Sequence, residues 1–496
     1  MHFPGTGRGF IGLLYPKSKK FMSVAAPVQE NPQVEASAET IERIRNAQKT
    51  YFNTHATESY QFRAQQLKKL REAVKRNERA ILDALKADLG KHEVESYGSE
   101  IGFILEEIQY TLKNLKSWMR PESSPGPLTQ FLSWGKVYSQ PYGNVLIIAP
   151  WNYPFQLTIS PLIGAMAAGN TTVLKPSEHA PATSEIVARL IRDTFDENYI
   201  AVIEGGVETN KALLAEPWDY LFFTGSPGVG KIVMKAAAEH LTPVTLELGG
   251  KSPAFIDRNL HLNYTARRLM WGKFYNAGQT CIAPDYLLVD RQAKDKLLPA
   301  LKKTIHQFYG QDPQKSPDYP RIINDRHFER LTAYLEDGNV YTGGQHDAAS
   351  RYIAPTILTD VDPNSPVMQE EIFGPILPVL TYDSLDEAIN FVNARSKPLA
   401  LYVFSNSDRY EERVLGQTTS GGACVNDTLV HLTSPHLPFG GVGTSGMGAY
   451  HGKASFDTFT HKRSVLKRSN KLDPPIRYAP YKNKLGLLKK LMPSPL

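Results

Sequence analysis

The sequence predicts an α/β protein built around a doubly wound parallel sheet, and three observations carry that expectation. Short continuous apolar runs such as Asn144-Val145-Leu146-Ile147-Ile148-Ala149 lack the alternation of a half-exposed strand, as expected of strands covered on both faces. Between them lie helical stretches, and strand–helix–strand repetition gives parallel sheets. At 496 residues the chain also exceeds one compact core, so two or three lobes are expected.

Taken in order, the first 35 residues are basic and punctuated by glycine and proline, and are expected to be disordered. They weakly resemble an organelle transit peptide, or lie upstream of a start at Met22. From Ala36 to Leu89 apolar residues (Phe62, Leu67, Leu70, Val74, Ile81, Leu85) recur at helical spacing, so one face is buried. A further helix runs to Trp118, and the proline-rich run from Pro121 to Pro127 breaks it. Strands are then predicted at Asn144–Ala149, Thr171–Leu174, Ile200–Ile203, Tyr220–Thr224 and Val244–Glu247, with helices at Ser184–Phe195 and Val229–His240 between them. A second alternating region spans Ser252 to Cys424, with strands near Tyr286–Val289 and Pro398–Phe404. A glycine-rich run, Phe439 to Gly448, follows, and no internal repeat is visible.

Composition excludes several classes. The net charge of +6 belongs to the ends: residues 462–496 hold ten Lys or Arg against one acid, and residues 1–29 hold four basic residues and none. The body between them carries 42 Lys or Arg against 49 acids, so the basic pI does not mark a nucleic-acid-binding core. No run approaches the ~18 apolar residues of a membrane span. Two cysteines make no disulfide framework and fit a reducing compartment. The 13 histidines show no ligand spacing, so no metal site is expected; His431, His436 and His451 read as surface or packing residues.

Chemistry concentrates in a few runs. Cys281 ends Asn276-Ala277-Gly278-Gln279-Thr280-Cys281, a polar, glycine-flanked loop that invites a nucleophile reading. A free cysteine is otherwise a small buried hydrophobe, which is the expectation for Cys424. Glu247 ends an apolar strand and precedes Gly249-Gly250, which suits a general base against the plainer reading of an exposed loop carboxylate. Asn152 follows a buried strand at the end where such sheets bind ligands, although asparagine is also a turn residue. Gly225-Ser226-Pro227-Gly228-Val229-Gly230-Lys231-Ile232 nearly spells a phosphate-binding P-loop, but Ile232 cannot hold magnesium, so the NTPase reading falls. A glycine-rich turn opening a helix still offers N–H groups to a pyrophosphate.

These runs, with Pro150 to Pro154, Val173 to Glu178, Phe223 to Ser226, Glu370 to Pro375 and Leu437 to Gly441, jointly resemble the aldehyde dehydrogenase superfamily over residues 40–465. The stretch from Lys273 to Tyr286 resembles its class 3 branch. The resemblance implies an aldehyde dehydrogenase-like α/β fold. Its parts are a Rossmann-type cofactor domain (36–120 and 139–246), an α/β catalytic domain (247–425), a bridging or oligomerisation element (121–138 and 426–461) and a basic tail (462–496). It implies Cys281 as nucleophile, attacking an aldehyde as a thiolate of depressed pKa, and an oxyanion held by the Asn152 amide and the Cys281 N–H. Hydride expulsion then leaves a thioester, hydrolysed by water that Glu247 activates. Lys175, Glu178, Gly225, Ser226, Gly230, Glu371 and Phe373 are the implied cofactor residues: Ser226 at phosphate, Glu371 at the nicotinamide ribose (and a rival to Glu247 in proton transfer), Phe373 against the cofactor. NAD is expected first, since a carboxylate at 178 repels a 2′-phosphate; NADP is the alternative, because Lys175 pulls the other way.

The implied substrate is an apolar aldehyde (medium- or long-chain fatty, aromatic or apocarotenoid), and the implied assembly a cytoplasmic homodimer. Import through the N-terminal extension and peripheral membrane attachment are the alternatives for location. Tyr481 to Met492 could set Leu485, Leu488 and Met492 on one helical face among lysines, giving weak contact with a membrane surface. A tail packed on a partner subunit is the plainer expectation. Two competing functions are a non-catalytic structural or binding descendant, and a dehydrogenase that passes its acyl group to coenzyme A. Retention of Cys281, Glu247, Asn152 and Lys175 argues against the first, and Glu247 argues for water over the second.

Overall fold

The structure, a computed structural model, describes residues 35–126, 133–471, 473 and 475–492. The N-terminal extension through residue 34 and residues 127–132 of the expected bridging segment lie outside the described residues.

The helical N-terminal region divides into three helices, Ala38–Phe52, Tyr60–Arg76 and Glu78–Leu89. The divisions follow the capping chemistry. The Ser37 and Ser59 hydroxyls accept from the N–H groups of Thr40 and Phe62, and Gly90 ends the third helix at φ 67°. Leu67, Leu70, Val74, Ile81 and Leu85 are fully buried, as their spacing requires.

The central six-stranded sheet runs Gly446–Met447, Val244–Leu248, Tyr220–Gly225, Asn144–Ile148, Thr171–Lys175, Ile200–Val202. All neighbours are parallel except the short first strand, which pairs antiparallel with Val244–Leu248. The chain winds outward from Asn144–Ile148 on one side, then returns to its other side with Tyr220–Gly225. That reversal is a switch point, where α/β sheets leave a crevice beyond their carboxyl ends. Asn152, Lys175, Glu178, Gly225, Ser226 and Glu247 all fall on or just after those ends.

The second sheet has seven strands, in order Asn339–Thr342, Thr356–Thr359, Ile376–Tyr382, Tyr286–Asp290, Pro253–Ile256, Ala400–Phe404, Gly422–Val425. Only its first strand is antiparallel. A small antiparallel sheet joins Glu122–Pro125, Ser133–Pro141 and Thr460–Arg468.

Two expected boundaries cut through elements. Residue 247 lies inside the strand Val244–Leu248 of the six-stranded sheet, not at the start of the next lobe. Residues 462–468, read as basic tail, continue the strand Thr460–Arg468; almost all of that strand is exposed, so its sequence lacks the apolar side that marks a strand. Near the C-terminus a short helix, Leu485–Leu491, leaves Leu485, Leu487, Leu488 and Met492 exposed. No helix among the described residues is long and apolar enough to cross a membrane.

Candidate active site

The carboxyl ends of the central strands open into a cavity of about 1830 Å³. Cys281, Glu247, Asn152, Lys175, Glu178, Gly225, Ser226, Glu371 and Phe373 all line it. Gly230 does not. It is buried in the helix Pro227–Glu239, where a Cβ would come within 2.6 Å of Leu248 Cδ2. This glycine lets the helix pack closely on the strand carrying Glu247.

Helix Leu262–Phe274 ends in a tight loop that delivers Cys281. Asn276, Ala277 and Gly278 take three successive left-handed conformations, at φ 52°, 52° and 75°. Side chains with a Cβ adopt that region at a cost, and such strain persists only where surroundings enforce it. Here they do. Asn276 Nδ2 donates to the carbonyls of Asn152 (2.8 Å) and Gln279 (3.1 Å). Gln279 in turn accepts from Ile323 N–H and donates to Arg321 O, both at 3.0 Å. At Gly278 a Cβ would stand 2.3 Å from Gly374 O, so no other residue fits. The Asn152 amide, 2 % exposed, donates to Gln279 O at 3.1 Å and keeps its second hydrogen for another acceptor.

Electrostatics at Cys281 differ from expectation. Burial pushes the thiol well above its usual pKa, and the nearby Glu371 and Glu247 carboxyls add to the shift. The expected depression does not arise, because among the described residues only the backbone N–H groups of Cys281 and Ile282 pull the thiol the other way. These surroundings favour the thiol over the thiolate.

Two carboxyls lie near the thiol. Glu247 is 3 % exposed, and among the described residues neither of its oxygens has a hydrogen-bond partner. Burial alone raises its pKa well above the carboxylate range. Glu371 is pushed up to about 8 by burial and by Asp285, against opposing pulls from the Gly250 N–H, Lys251 and Arg330. It lies so close to Gly249 that a Cβ there would be 1.9 Å from Oε2, which accounts for the first glycine after the strand.

The adenosine side of the cavity also has a defined form. Lys175, 1 % exposed, donates from Nζ to Glu178 Oε2 at 2.7 Å and to Pro176 O at 2.9 Å, so the pair is built into the wall and is not a solvated loop. Burial would raise Glu178, but Lys175 outweighs it and holds the carboxyl below its usual value. Ser226 caps the helix Pro227–Glu239 through Val229 N–H, and a Cβ on Gly228 would meet nothing nearer than Ser226 Oγ, at 4.0 Å, beside that N-terminus. Phe373, at φ 51°, meets Trp151 edge-on at 5.3 Å. A helix start with accessible N–H groups, a paired ribose-type carboxylate and an aromatic wall fit a nicotinamide dinucleotide.

The sequence pattern of the aldehyde dehydrogenase family matches residues 15–465. The chain belongs to that family. This aldehyde dehydrogenase is 53% identical over 443 residues to 4,4'-diaponeurosporen-aldehyde dehydrogenase of Staphylococcus aureus, covering 89% of this chain and 96% of the relative. It is 51% identical over 434 residues to the rat (Rattus norvegicus) aldehyde dehydrogenase described as dimeric and NADP-preferring, covering 87% and 94%. Among solved structures, the substrate-bound state of S. aureus AldH superposes with a TM-score of 0.90 at 52% identity, covering 91% of this chain and 99% of that one. With family 3 members also among its relatives, it is an NAD(P)-dependent aldehyde dehydrogenase of the class 3 kind.

Several residues of this dehydrogenase's site escaped sequence reasoning. Lys273 is fully buried with no partner for Nζ among the described residues, and burial lowers its pKa to about 8. Its sequence signal was a lysine inside the apolar run Trp271 to Tyr275. His451 is 3 % exposed and lines the cavity, with Nδ1 3.4 Å from Glu107. His431 is half-buried, and burial lowers it to about 4; His436 packs edge-on against Tyr110, and neither lines the cavity, as expected of packing residues. Glu95 and Glu100, far away in sequence, hold the two loops that flank the thiol.

Proposed function

We propose that this enzyme oxidises an apolar aldehyde to its carboxylic acid through covalent chemistry on Cys281. The observation that carries the reading is the convergence of Cys281, Asn152 and Glu247 on one cavity also lined by Phe103, Trp151, Tyr153, Trp271, Tyr275 and Phe439. Aromatic walls suit a water-poor substrate channel.

In this mechanism Glu247 or Glu371, each a stronger base for its raised pKa, takes the Cys281 proton. Sγ then bonds to the aldehyde carbon, giving a thiohemiacetal oxyanion that accepts from Asn152 Nδ2 and the Cys281 N–H. A bound nicotinamide dinucleotide supplies the acceptor for the hydride leaving that carbon. Lys175 and Glu178 hold its adenosine ribose, Gly225 and Ser226 its phosphates, and Glu371 and Phe373 its nicotinamide end. The resulting Cys281 thioester is cleaved by water whose proton passes to Glu247, releasing acid and thiol. The Lys175–Glu178 pair supports NAD first, with NADP accepted if Glu178 turns aside.

A dimer is proposed on the strength of the dimeric rat relative, and the scarcity of cysteine supports a cytoplasmic setting. Exposed Leu485, Leu487, Leu488 and Met492 beside Lys489 and Lys490 support weak attachment to an anionic membrane surface. Co-sedimentation with anionic vesicles should then be stronger for the full chain than for one ending at Ser469; equal binding rules the attachment out.

The overall reading is tested by following cofactor reduction with NAD and NADP against hexanal, a long-chain enal, benzaldehyde and an apocarotenal, with product analysis. Free acid from the apolar members is expected. Acyl-coenzyme A as the only product, or no reduction with cofactor bound, would overturn it.

A further inference from the structure

One short segment touches both loops that the proposed chemistry uses. Residues Glu93–Ser96 form a helical turn, Tyr97–Ile101 continue it as a π-helix, and Gly102–Trp118 resume the α-helix. A π-turn inside a helix shifts the register of side chains and recurs at functional sites. Here it separates two carboxylates that face different loops. Glu95 Oε1 accepts from the N–H of Asn276 at 2.7 Å, the first of the left-handed residues before Cys281. Tyr275, the preceding residue, donates from its hydroxyl to Glu95 O at 3.2 Å. Glu100 Oε2 accepts from Phe155 N–H (2.9 Å) and Gln156 N–H (3.2 Å), which fixes the loop carrying Asn152. Glu100 Oε1 is held by Lys91 Nζ at 2.5 Å, with both side chains fully buried.

Two further links join the same loops. Lys91 Nζ lies 4.3 Å from the centroid of the Tyr153 ring, whose hydroxyl shares a 2.6 Å hydrogen bond with Thr280, the neighbour of Cys281. Asn276 Nδ2 reaches Asn152 O directly.

We propose that the Lys91–Glu100 segment is a clamp that sets the position of the Cys281 loop against the Asn152 loop, with Glu95 as the positioning residue for Cys281. The proposal rests on the reading of Cys281 and Asn152 as nucleophile and oxyanion donor. Glu95 touches neither substrate nor thiol; it acts through the Asn276 N–H. A carboxylate accepts that N–H more strongly than a carboxylic acid does, because the bond is then charge-assisted.

The titratable groups facing Glu95 are Lys91 and Glu100 from its own segment, Tyr153 after the central strand, Tyr275 from the nucleophile segment and Tyr309 at the end of helix Arg291–Tyr309. Burial raises all three phenols, so they stay neutral through the physiological range. Burial raises Glu95 itself to about 7, opposed by Lys91 and the Asn276 N–H. The grip on the nucleophile loop therefore tightens as pH rises through about 7.

The test compares wild type, Glu95→Gln and Glu95→Ala by kcat against pH, with the affinity for NAD measured by protein fluorescence. Wild-type activity abolished by Cys281→Ala establishes the underlying reading first; without it, that reading fails and not the clamp alone. Glu95→Ala is expected to lower kcat by about 10- to 100-fold, since small misplacements of reacting groups carry such losses, with NAD affinity unchanged. Glu95→Gln keeps an acceptor for Asn276 but has no charge to lose. It should recover part of the loss, and its kcat–pH profile should lack the step near pH ~7 that Glu95 adds while keeping the rise that Glu247 and Glu371 produce, so that it differs from wild type. Unchanged kcat in Glu95→Ala, or a wild-type pH limb in Glu95→Gln, overturns the proposal. If the alanine variant does not fold, the glutamine profile decides alone.

Discussion

Cys281→Ala is expected to lower cofactor reduction by at least ~10⁴-fold, because removing a covalent nucleophile removes the reaction path and not merely one contact. Affinity for NAD should stay nearly constant, since the thiol sits in a loop apart from the glycine-rich turn and the Lys175–Glu178 pair. Asn152→Ala gives a graded comparison. The missing oxyanion donor should remove about 10²- to 10³-fold from kcat, with Cys281 still forming its thioester. A residual rate in Cys281→Ala above that of Asn152→Ala would show that the thiol is not the nucleophile. The raised thiol pKa adds a second readout. Alkylation of Cys281 should be slow at neutral pH and accelerate in alkali, opposite to a thiolate already formed.

Glu247→Gln should separate the two halves of the reaction. Oxidation of the first aldehyde needs the thiol, the oxyanion donors, the cofactor and a base for the thiol proton, which Glu371 still supplies, so one equivalent of reduced cofactor per site is expected as a burst. Thioester hydrolysis needs a base, so turnover after the burst should fall by about 10²- to 10⁴-fold. The substitution breaks no hydrogen bond, because among the described residues the Glu247 oxygens have no partner, so the fold should be unaffected. Burial raises the Glu247 pKa, and a protonated carboxyl accepts no proton. Wild-type hydrolysis should therefore weaken as pH falls and recover as it rises. Steady-state turnover preserved in Glu247→Gln, with the burst pattern appearing instead in Glu371→Gln, would transfer the role to Glu371. That carboxyl, pushed up to about 8 and pressed against Gly249, has the basicity to take it.

The parts of the fold legible in the sequence are those whose signal is local. Asn144–Ile148 and Tyr220–Gly225 are uninterrupted apolar runs because both sheet faces are covered, and burial leaves that mark in each residue. The strand Thr460–Arg468 leaves no such mark. Its pairing with Ser133–Pro141 is made by the backbone, while the side chains from His461 to Lys467 face solvent. The site divides in the same way. Cys281, Glu247 and Asn152 stand in runs whose residue types announce their chemistry. The hold of Glu95 on Asn276 joins positions 181 residues apart and depends on a π-turn that no short pattern marks. Gly230 shows the reverse case. It belongs to a recognisable glycine-rich turn, yet close packing on Leu248 accounts for it. The direction of the Cys281 shift was likewise beyond the sequence, since it depends on which charges lie near the sulfur after folding.

The strand bearing Glu247 takes its outer neighbour, Gly446–Met447, from nearly two hundred residues further along. Chains emerge from the ribosome N-terminus first. Asn152, Glu247 and Cys281 are therefore all synthesised well before the backbone that flanks Glu247, and a nascent chain stopped short of Gly446 carries all three without that edge of its sheet. The strand bearing Glu247 is therefore flanked on both sides only once the chain has been made through Met447.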